Sequence, residues 1–174
     1  MADFLKPDEA LNELNLKEHM LGAEFGCGSA VLTIALAKKL NKGRVYALDI
    51  QEEKLSALKG KLSQEKISNV YTILCDLERS NASGLNNDFL DIVLMPNILF
   101  QSENRYAIMD EAERILKPGG QLLLIDWLKK SPFNQKESLV TPEEVKKIAE
   151  TLSLSLKKEF AAGDYHYGLL FIKQ

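Results

Sequence analysis

The run Ala23-Glu24-Phe25-Gly26-Cys27-Gly28-Ser29-Ala30 closes an apolar stretch and opens an amphipathic one, joining an acid to a G-x-G. Glycines at 26 and 28 let the backbone turn sharply from strand to helix and approach a ligand with no side chain between them. The chemistry this allows is the cradling of a nucleotide-type cofactor. A dinucleotide fingerprint, G-x-G-x-x-G, requires glycine at position 31, where the chain has Val31, so the pyrophosphate reading is weakened. Three further acids end apolar runs: Asp49, 23 residues after Gly26, then Asp76 and Asp126. An acid closing the second strand is placed to accept both hydroxyls of a ribose.

The elements that must position these acids are legible in the hydrophobic periodicity. Apolar runs of strand length alternate with stretches of helical spacing, the signature of an α/β sheet with crossover helices. Strands are expected at 20–25, 44–49, 70–74, 90–95 and 121–126, with helices at 7–16, 31–40, 52–64 and 105–116. Ser29 is expected to cap the second of these helices, and Lys117-Pro118-Gly119-Gly120 to end the fourth. Thr141-Pro142-Glu143-Glu144 reads as a cap and first turn of a last helix, after which two alternating segments around the turn Ala162-Gly163-Asp164 suggest an antiparallel ending. The stretch from Trp127 to Val140 has no clear period.

Composition bounds the partners. At 174 residues the chain is one domain's worth, and residues 1–174 are expected to form a single domain with a short helical segment over 1–18. Its 22 basic and 25 acidic residues are interspersed, giving a net charge of −3 and no footprint for a phosphate backbone, so nucleic acid is a poor substrate candidate. No apolar run approaches the ~20 residues of a membrane span, and the N-terminus lacks the pattern of a signal peptide, so a cytoplasmic protein without a membrane partner is expected. Cys27 and Cys75 fit neither a disulfide framework nor a zinc site, and no metal is expected.

Four carboxylates around a glycine loop suit a ligand with a positive charge and a ribose, and S-adenosylmethionine has both. Taken together, the glycine loop, Val45-Tyr46-Ala47-Leu48-Asp49-Ile50, Cys75-Asp76-Leu77-Glu78, Leu90-Asp91-Ile92-Val93-Leu94 and Arg114-Ile115-Leu116-Lys117-Pro118-Gly119-Gly120-Gln121-Leu122 form a pattern in order and spacing. On these stretches the chain resembles class I S-adenosylmethionine-dependent methyltransferases, especially the group related to ubiquinone and menaquinone biosynthesis. The resemblance implies a Rossmann-like α/β fold: a seven-stranded, mostly parallel sheet in order 3-2-1-4-5-7-6, strand seven antiparallel, with helices on both faces. It also implies that Asp49 binds the ribose diol, Asp76 the adenine amine and the Leu77 amide an adenine ring nitrogen. Cys27 and Ile50 fall in the same binding set. Glu24, Gly26 and Gly28 would face the methionine moiety, and the carbonyl near Asn97 its ammonium. The family's third loop glycine is Ala30 here.

Relatives commonly end strand four with histidine, whereas this chain reads Asn97-Ile98-Leu99-Phe100-Gln101, so no general base is assigned. Methyl transfer from a sulfonium can proceed without one when the nucleophile ionises easily, because alignment carries much of the rate. The acceptor is expected to be a small molecule approaching past Asn97, Phe100, Gln101, Asp126 and Trp127, with Phe4 and Tyr165-His166-Tyr167 as further walls. Phe100 could border the sulfonium. A binding module or partner subunit that keeps the cofactor pocket without catalysis is the alternative, and a nicotinamide-dependent dehydrogenase is disfavoured by Val31.

Overall fold

The computed structural model describes residues 6–128 and 139–174 of the chain. Phe4 and most of the aperiodic stretch after Trp127 lie outside the described residues. The elements run α1 (Pro7–Leu11), β1 (Leu21–Phe25), α2 (Val31–Lys39), β2 (Arg44–Asp49), α3 (Glu52–Gln64), β3 (Val70–Leu74), β4 (Leu90–Pro96), a 3-10 turn (Leu99–Gln101), α4 (Arg105–Ile115), β5 (Leu116–Trp127), α5 (Pro142–Glu150), β6 (Leu154–Ala161) and β7 (His166–Lys173).

These strands form one sheet in order β3-β2-β1-β4-β5-β7-β6. Pairings from β3 to β5 are parallel, and β7 runs antiparallel to both β5 and β6. The near-continuous apolar character of β1 and β4 follows from cover on both faces. Leu32, Leu36 and Leu40 pack with α1's Ala10 and Leu11 on Ile92, Leu94, Leu123, Ile125 and Leu170. Leu55, Leu58 and Leu62 of α3 cover Ala47 on that same side. On the opposite face α4 and α5, through Ile108, Met109, Ala112, Val145 and Ala149, cover Phe25, Val93, Met95, Leu122, Leu124, Leu169 and Phe171. Each fully buried Leu or Phe contributes roughly 1.5–3 kcal/mol relative to exposure.

Three local differences from the sequence reading have physical causes. Helix α1 stops at Leu11 rather than Leu16, because the following segment is held by β5: Gln121 Oε1 accepts from the Asn15 amide at 2.9 Å, and its Nε2 donates to the Asn15 carbonyl at 3.3 Å. The N-cap of α2 is Ala30, at φ +70°, with no side-chain cap from Ser29. The Ala30 amide instead closes a tight turn onto the Cys27 carbonyl at 2.7 Å. Strand β5 begins at Leu116, and Lys117 to Gly120 bulge out between the pairings Leu90↔Leu116 and Ile92↔Gln121. That bulge needs its glycines: Gly119 has φ +79°, and a Cβ on Gly120 would stand 2.8 Å from the Lys117 carbonyl oxygen. The expected cap of α5 forms a full capping box, with the Thr141 and Glu144 side chains bonding each other's backbone amides.

Candidate functional site

The carboxyl ends of β3, β2, β1 and β4 open onto a cleft of about 750 Å³. In an open α/β sheet this is the crevice where ligands bind, at the point where strand order reverses beside β1. Glu24, Gly26, Cys27, Gly28, Asp49, Ile50, Asp76, Leu77, Asn97 and Gln101 all line it.

The glycine loop is fastened to β2. Gly26 and Cys27 donate their amides to the Leu48 carbonyl at 2.8 and 3.2 Å, and Gly28 donates to Asp49 Oδ2 at 3.3 Å. Gly26 and Gly28 have φ of +77° and +42°, which L side chains rarely adopt. A Cβ on Gly28 would meet only the Gly26 carbonyl oxygen, at 3.8 Å, so the space beside it is open. Asp49, 8 % exposed, also accepts the Gln51 amide on Oδ1 at 3.0 Å and the Cys27 thiol on Oδ2 at 3.7 Å. Its carboxylate therefore clamps two loops and keeps further lone pairs for a ligand. Burial pushes the Cys27 thiol up to about 12 and the Cys75 thiol up to about 11, with the nearby carboxylates adding to both, so both stay protonated.

Glu24 stands buried at the end of β1 and accepts the Thr33 hydroxyl. Burial drives its pKa up to about 8 against the lowering effect of that hydrogen bond, so this acid is mostly uncharged at neutral pH. At the β3 end, Asp76 accepts the Glu78 amide at 3.1 Å and pairs with Arg79 Nε at 3.1 Å. Arg79's side chain is 82 % exposed, and such a pair is worth only about 0–1 kcal/mol, easily exchanged for another donor. Ile50 is 64 % exposed and presents an apolar face beside Asp49. Asn97 sits at φ +51°, its amide on the Ile125 carbonyl at 2.8 Å and its own carbonyl accepting Gln101 Nε2 at 3.1 Å. Its buried Oδ1 has no hydrogen-bond partner among the described residues.

Phe100, Asp126, Trp127 and His166 are not among the cleft-lining residues. Asp126 departs furthest from the substrate-facing expectation. It is 1 % exposed, and its carboxylate accepts the Trp127 amide at 2.8 Å and the Phe100 amide at 3.2 Å, fixing the turn after β4. Burial raises its pKa to about 6. Phe100 turns toward Trp127, edge to face at 6.5 Å, rather than into the cleft. The cleft walls also include Pro7, Lys54, Glu78, Ile98 and Ser102, which the sequence reading missed. Glu78 had a signal, since it closes the Cys75-Asp76-Leu77-Glu78 stretch without having been given a place in the site; it accepts the Glu103 and Asn104 amides at 3.2 and 2.9 Å, tying this loop to the start of α4.

Residues 16–163 match the profile of a methyltransferase domain. The chain belongs to this methyltransferase family. A demethylmenaquinone methyltransferase of Bacillus subtilis is 28 % identical over 134 residues, covering 75 % of this chain and 55 % of its own. The chain thus spans about half the length of the curated relatives it matches. A crystal structure of a SAM-dependent methyltransferase from Aquifex aeolicus is similar over 98 % of this chain and 91 % of its own, at TM-score 0.87 and 25 % identity. The cyclase SpnF shares the family's fold at TM-score 0.83 and 11 % identity, over 96 % of this chain and 79 % of its own. The seven-stranded, Rossmann-like architecture expected from the resemblance is the one the structure has. Among the described residues no helix is long and apolar enough to cross a membrane.

Proposed function

We propose that the chain binds S-adenosylmethionine in this cleft and transfers its methyl group to a small-molecule acceptor. The observation that carries the reading is the order of groups along the sheet. From β3 to β4 the strand ends present Asp76 with Leu77, then Asp49 with Ile50, then Glu24 with Gly26 and Gly28, then Asn97. Three strand spacings of about 4.8 Å give the ~15 Å run that a nucleoside with an amino-acid tail occupies.

The residues present fit this ligand. Asp76 and the Leu77 amide would hold adenine, Ile50 its apolar face, and Asp49 the ribose diol. The positive-φ glycines keep the wall free of side chains where the methionine portion lies, and the unpartnered Asn97 Oδ1 and the Asn97 carbonyl are acceptors at the end where an ammonium would sit. When bound, S-adenosylmethionine supplies an electrophilic methyl on a sulfonium. The chain's part is alignment and exclusion of water: the Asp126 carboxylate pins the turn after β4, and that turn holds Ile98, Gln101 and Ser102 at the cleft edge.

The small acceptor and the catalytic competence of a single domain over residues 1–174 are part of the same reading, supported by one continuous sheet from Leu21 to Lys173 and by interspersed surface charge that offers no track for nucleic acid. The unpaired Cys27 and Cys75 support a cytoplasmic setting. Titration calorimetry with S-adenosylhomocysteine and with oxidised nicotinamide dinucleotide tests the cofactor. Binding of the first and not the second is expected, and the reverse sinks the reading. Incorporation of labelled methyl into a deproteinised metabolite extract then tests transfer. Cofactor binding without any transfer would favour a binding module or partner subunit.

A further inference from the structure

His166 opens β7 with its side chain 2 % exposed and neither ring nitrogen hydrogen-bonded to any described residue. A neutral imidazole carries one donor and one acceptor nitrogen, and burying both without partners is costly unless a bound molecule supplies them. Its neighbours are aromatic. His166 lies directly opposite Trp127 across the β5–β7 pair, with ring centroids 4.0 Å apart and planes 36° apart. Trp127 in turn meets Phe100 edge to face.

The position of this group follows from strand alternation. Leu94, Ile125 and Leu170 pack on the α1–α2 side of the sheet. Pro96, Trp127 and His166 lie an even number of residues from them, so they share that face. Pro96 also borders the cleft, and the order β4-β5-β7 places His166 about 10 Å beyond the β4 end. The aromatic group therefore adjoins the cleft on the side away from Asp49 and Asp76, where an acceptor would approach. The residues ending β4, Asn97 to Gln101, bring no base of their own.

We propose that His166 holds the methyl acceptor and takes the proton from its nucleophilic atom, and that the acceptor is a small uncharged molecule with an apolar body and one ionisable O–H, S–H or C–H group. This rests on the methyl-transfer reading above. Trp127 and Phe100 wall the apolar body, and the imidazole gives one directional contact. In the step, the acceptor's proton moves to the unprotonated ring nitrogen and the freed electron pair forms the bond to the methyl carbon. The carbon–sulfur bond breaks with its pair left on sulfur as the neutral thioether. The imidazolium then loses its proton to solvent as the methylated product leaves. Burial lowers the His166 pKa below the ordinary histidine range, with no charged neighbour contributing, so the ring is neutral at pH 7. The carboxylate of neighbouring Asp126 is engaged with the Trp127 and Phe100 amides.

Two variants test this. His166→Phe keeps a ring against Trp127 and removes both nitrogens, and His166→Gln keeps a polar group without a base. Both should bind S-adenosylhomocysteine within threefold of wild type in calorimetry. Both should transfer labelled methyl from S-adenosylmethionine into a deproteinised low-molecular-weight extract 10²–10⁴-fold more slowly, the usual scale of a lost general base. A His166→Phe protein that transfers within threefold of wild type overturns the proposal while leaving the methyl-transfer reading intact. A wild type that binds no S-adenosylhomocysteine and transfers no label overturns both. Imidazole nitrogen NMR gives a readout without turnover, since the chain has only two histidines and His19 is exposed. A neutral His166 at pH 7 supports the assignment, and a cationic one overturns it.

Discussion

Thr33, in the first turn of α2, donates its hydroxyl to the Glu24 carboxylate at the end of β1, and both side chains are buried. The pair joins the cleft floor to the helix that follows the glycine loop. It also holds an acid that burial keeps mostly protonated at neutral pH, with a pKa of about 8. An ammonium brought near Glu24 favours its ionised form, so binding should expel a proton. Affinity for S-adenosylhomocysteine should therefore fall as pH drops below 8, by up to tenfold per unit. 5′-Methylthioadenosine, which lacks the amino-acid portion, should show no such dependence. Calorimetry in buffers of different ionisation enthalpy measures the proton directly, and a Glu24→Gln protein with the wild-type pH dependence would falsify the assignment.

The same shift sets the sign of a stability effect. Glu24 titrates near 4.5 when unfolded and near 8 when folded, so between these values the folded chain binds more protons. Stability of the ligand-free protein should decline as pH rises from 4.5 to 8, and it should decline less in Glu24→Gln. Asp126, raised from 3.8 to about 6, adds a decline of the same sign between those values. Thermal melts across pH 4.5 to 8 measure both; a wild-type midpoint that rises relative to Glu24→Gln over this range contradicts the burial argument.

Asp49→Ala should weaken S-adenosylhomocysteine binding by about 1.5–3 kcal/mol, the scale of hydrogen bonds to a charged group. The structure adds a second effect, because Gly28 and Gln51 would lose the acceptor for their amides. The melting midpoint should fall as well. Asp49→Asn, which can still accept on one oxygen, should recover part of the stability and less of the affinity. Unchanged calorimetric affinity in both variants would rule out a ribose contact.

Gly28→Ala separates folding from binding in the same loop. The added Cβ has room in the protein, so the cost to the fold is the left-handed backbone, about 1–2 kcal/mol. The methyl projects into open space beside the glycine loop, where the ligand is proposed to lie. Affinity for S-adenosylhomocysteine should drop at least tenfold while the circular dichroism spectrum is unchanged. Wild-type affinity in this variant would place the ligand elsewhere.

Much of the fold could be read because local pattern and global order agree. Strands β2 and β3 and helix α3 have the bounds expected from apolar periodicity, since each is flanked by glycine, asparagine or acid punctuation that tertiary packing does not override. The four acids were legible as strand ends, but which of them line the cleft was not: Glu24, Asp49 and Asp76 do and Asp126 does not. Asp126 and Trp127 are consecutive in a strand, so they must face opposite sides of the sheet, and the substrate-facing pair was never geometrically available. Asp126 shares the face of Leu122 and Leu124, and Trp127 that of Leu123 and Ile125. Ala30 marks another limit: it holds a left-handed backbone that glycine adopts freely, and no spacing rule says that alanine will bear the strain. The Thr33–Glu24 bond was invisible because it depends on how α2 docks on β1. His166 was legible in sequence as a wall of the acceptor's approach with an intrinsic pKa suited to proton transfer, whereas its two unpartnered nitrogens emerge only from packing.

Replacing Trp127 probes whether the aromatic group beside the cleft serves the acceptor or only the core. Trp127 is half-buried between Phe100 and His166, so Trp127→Ala should cost about 1–3 kcal/mol of stability, below the 3–5 kcal/mol of a fully buried ring. The residue does not line the cofactor cleft, so S-adenosylhomocysteine affinity should stay within two- to threefold of wild type. Turnover, or the concentration of acceptor needed for it, should worsen at least tenfold, because the apolar wall for the acceptor is gone. Trp127→Phe should restore most of the stability and part of the turnover. If cofactor affinity instead collapses while turnover per bound cofactor stays normal, Trp127 is a packing residue and the acceptor enters by another side of the cleft.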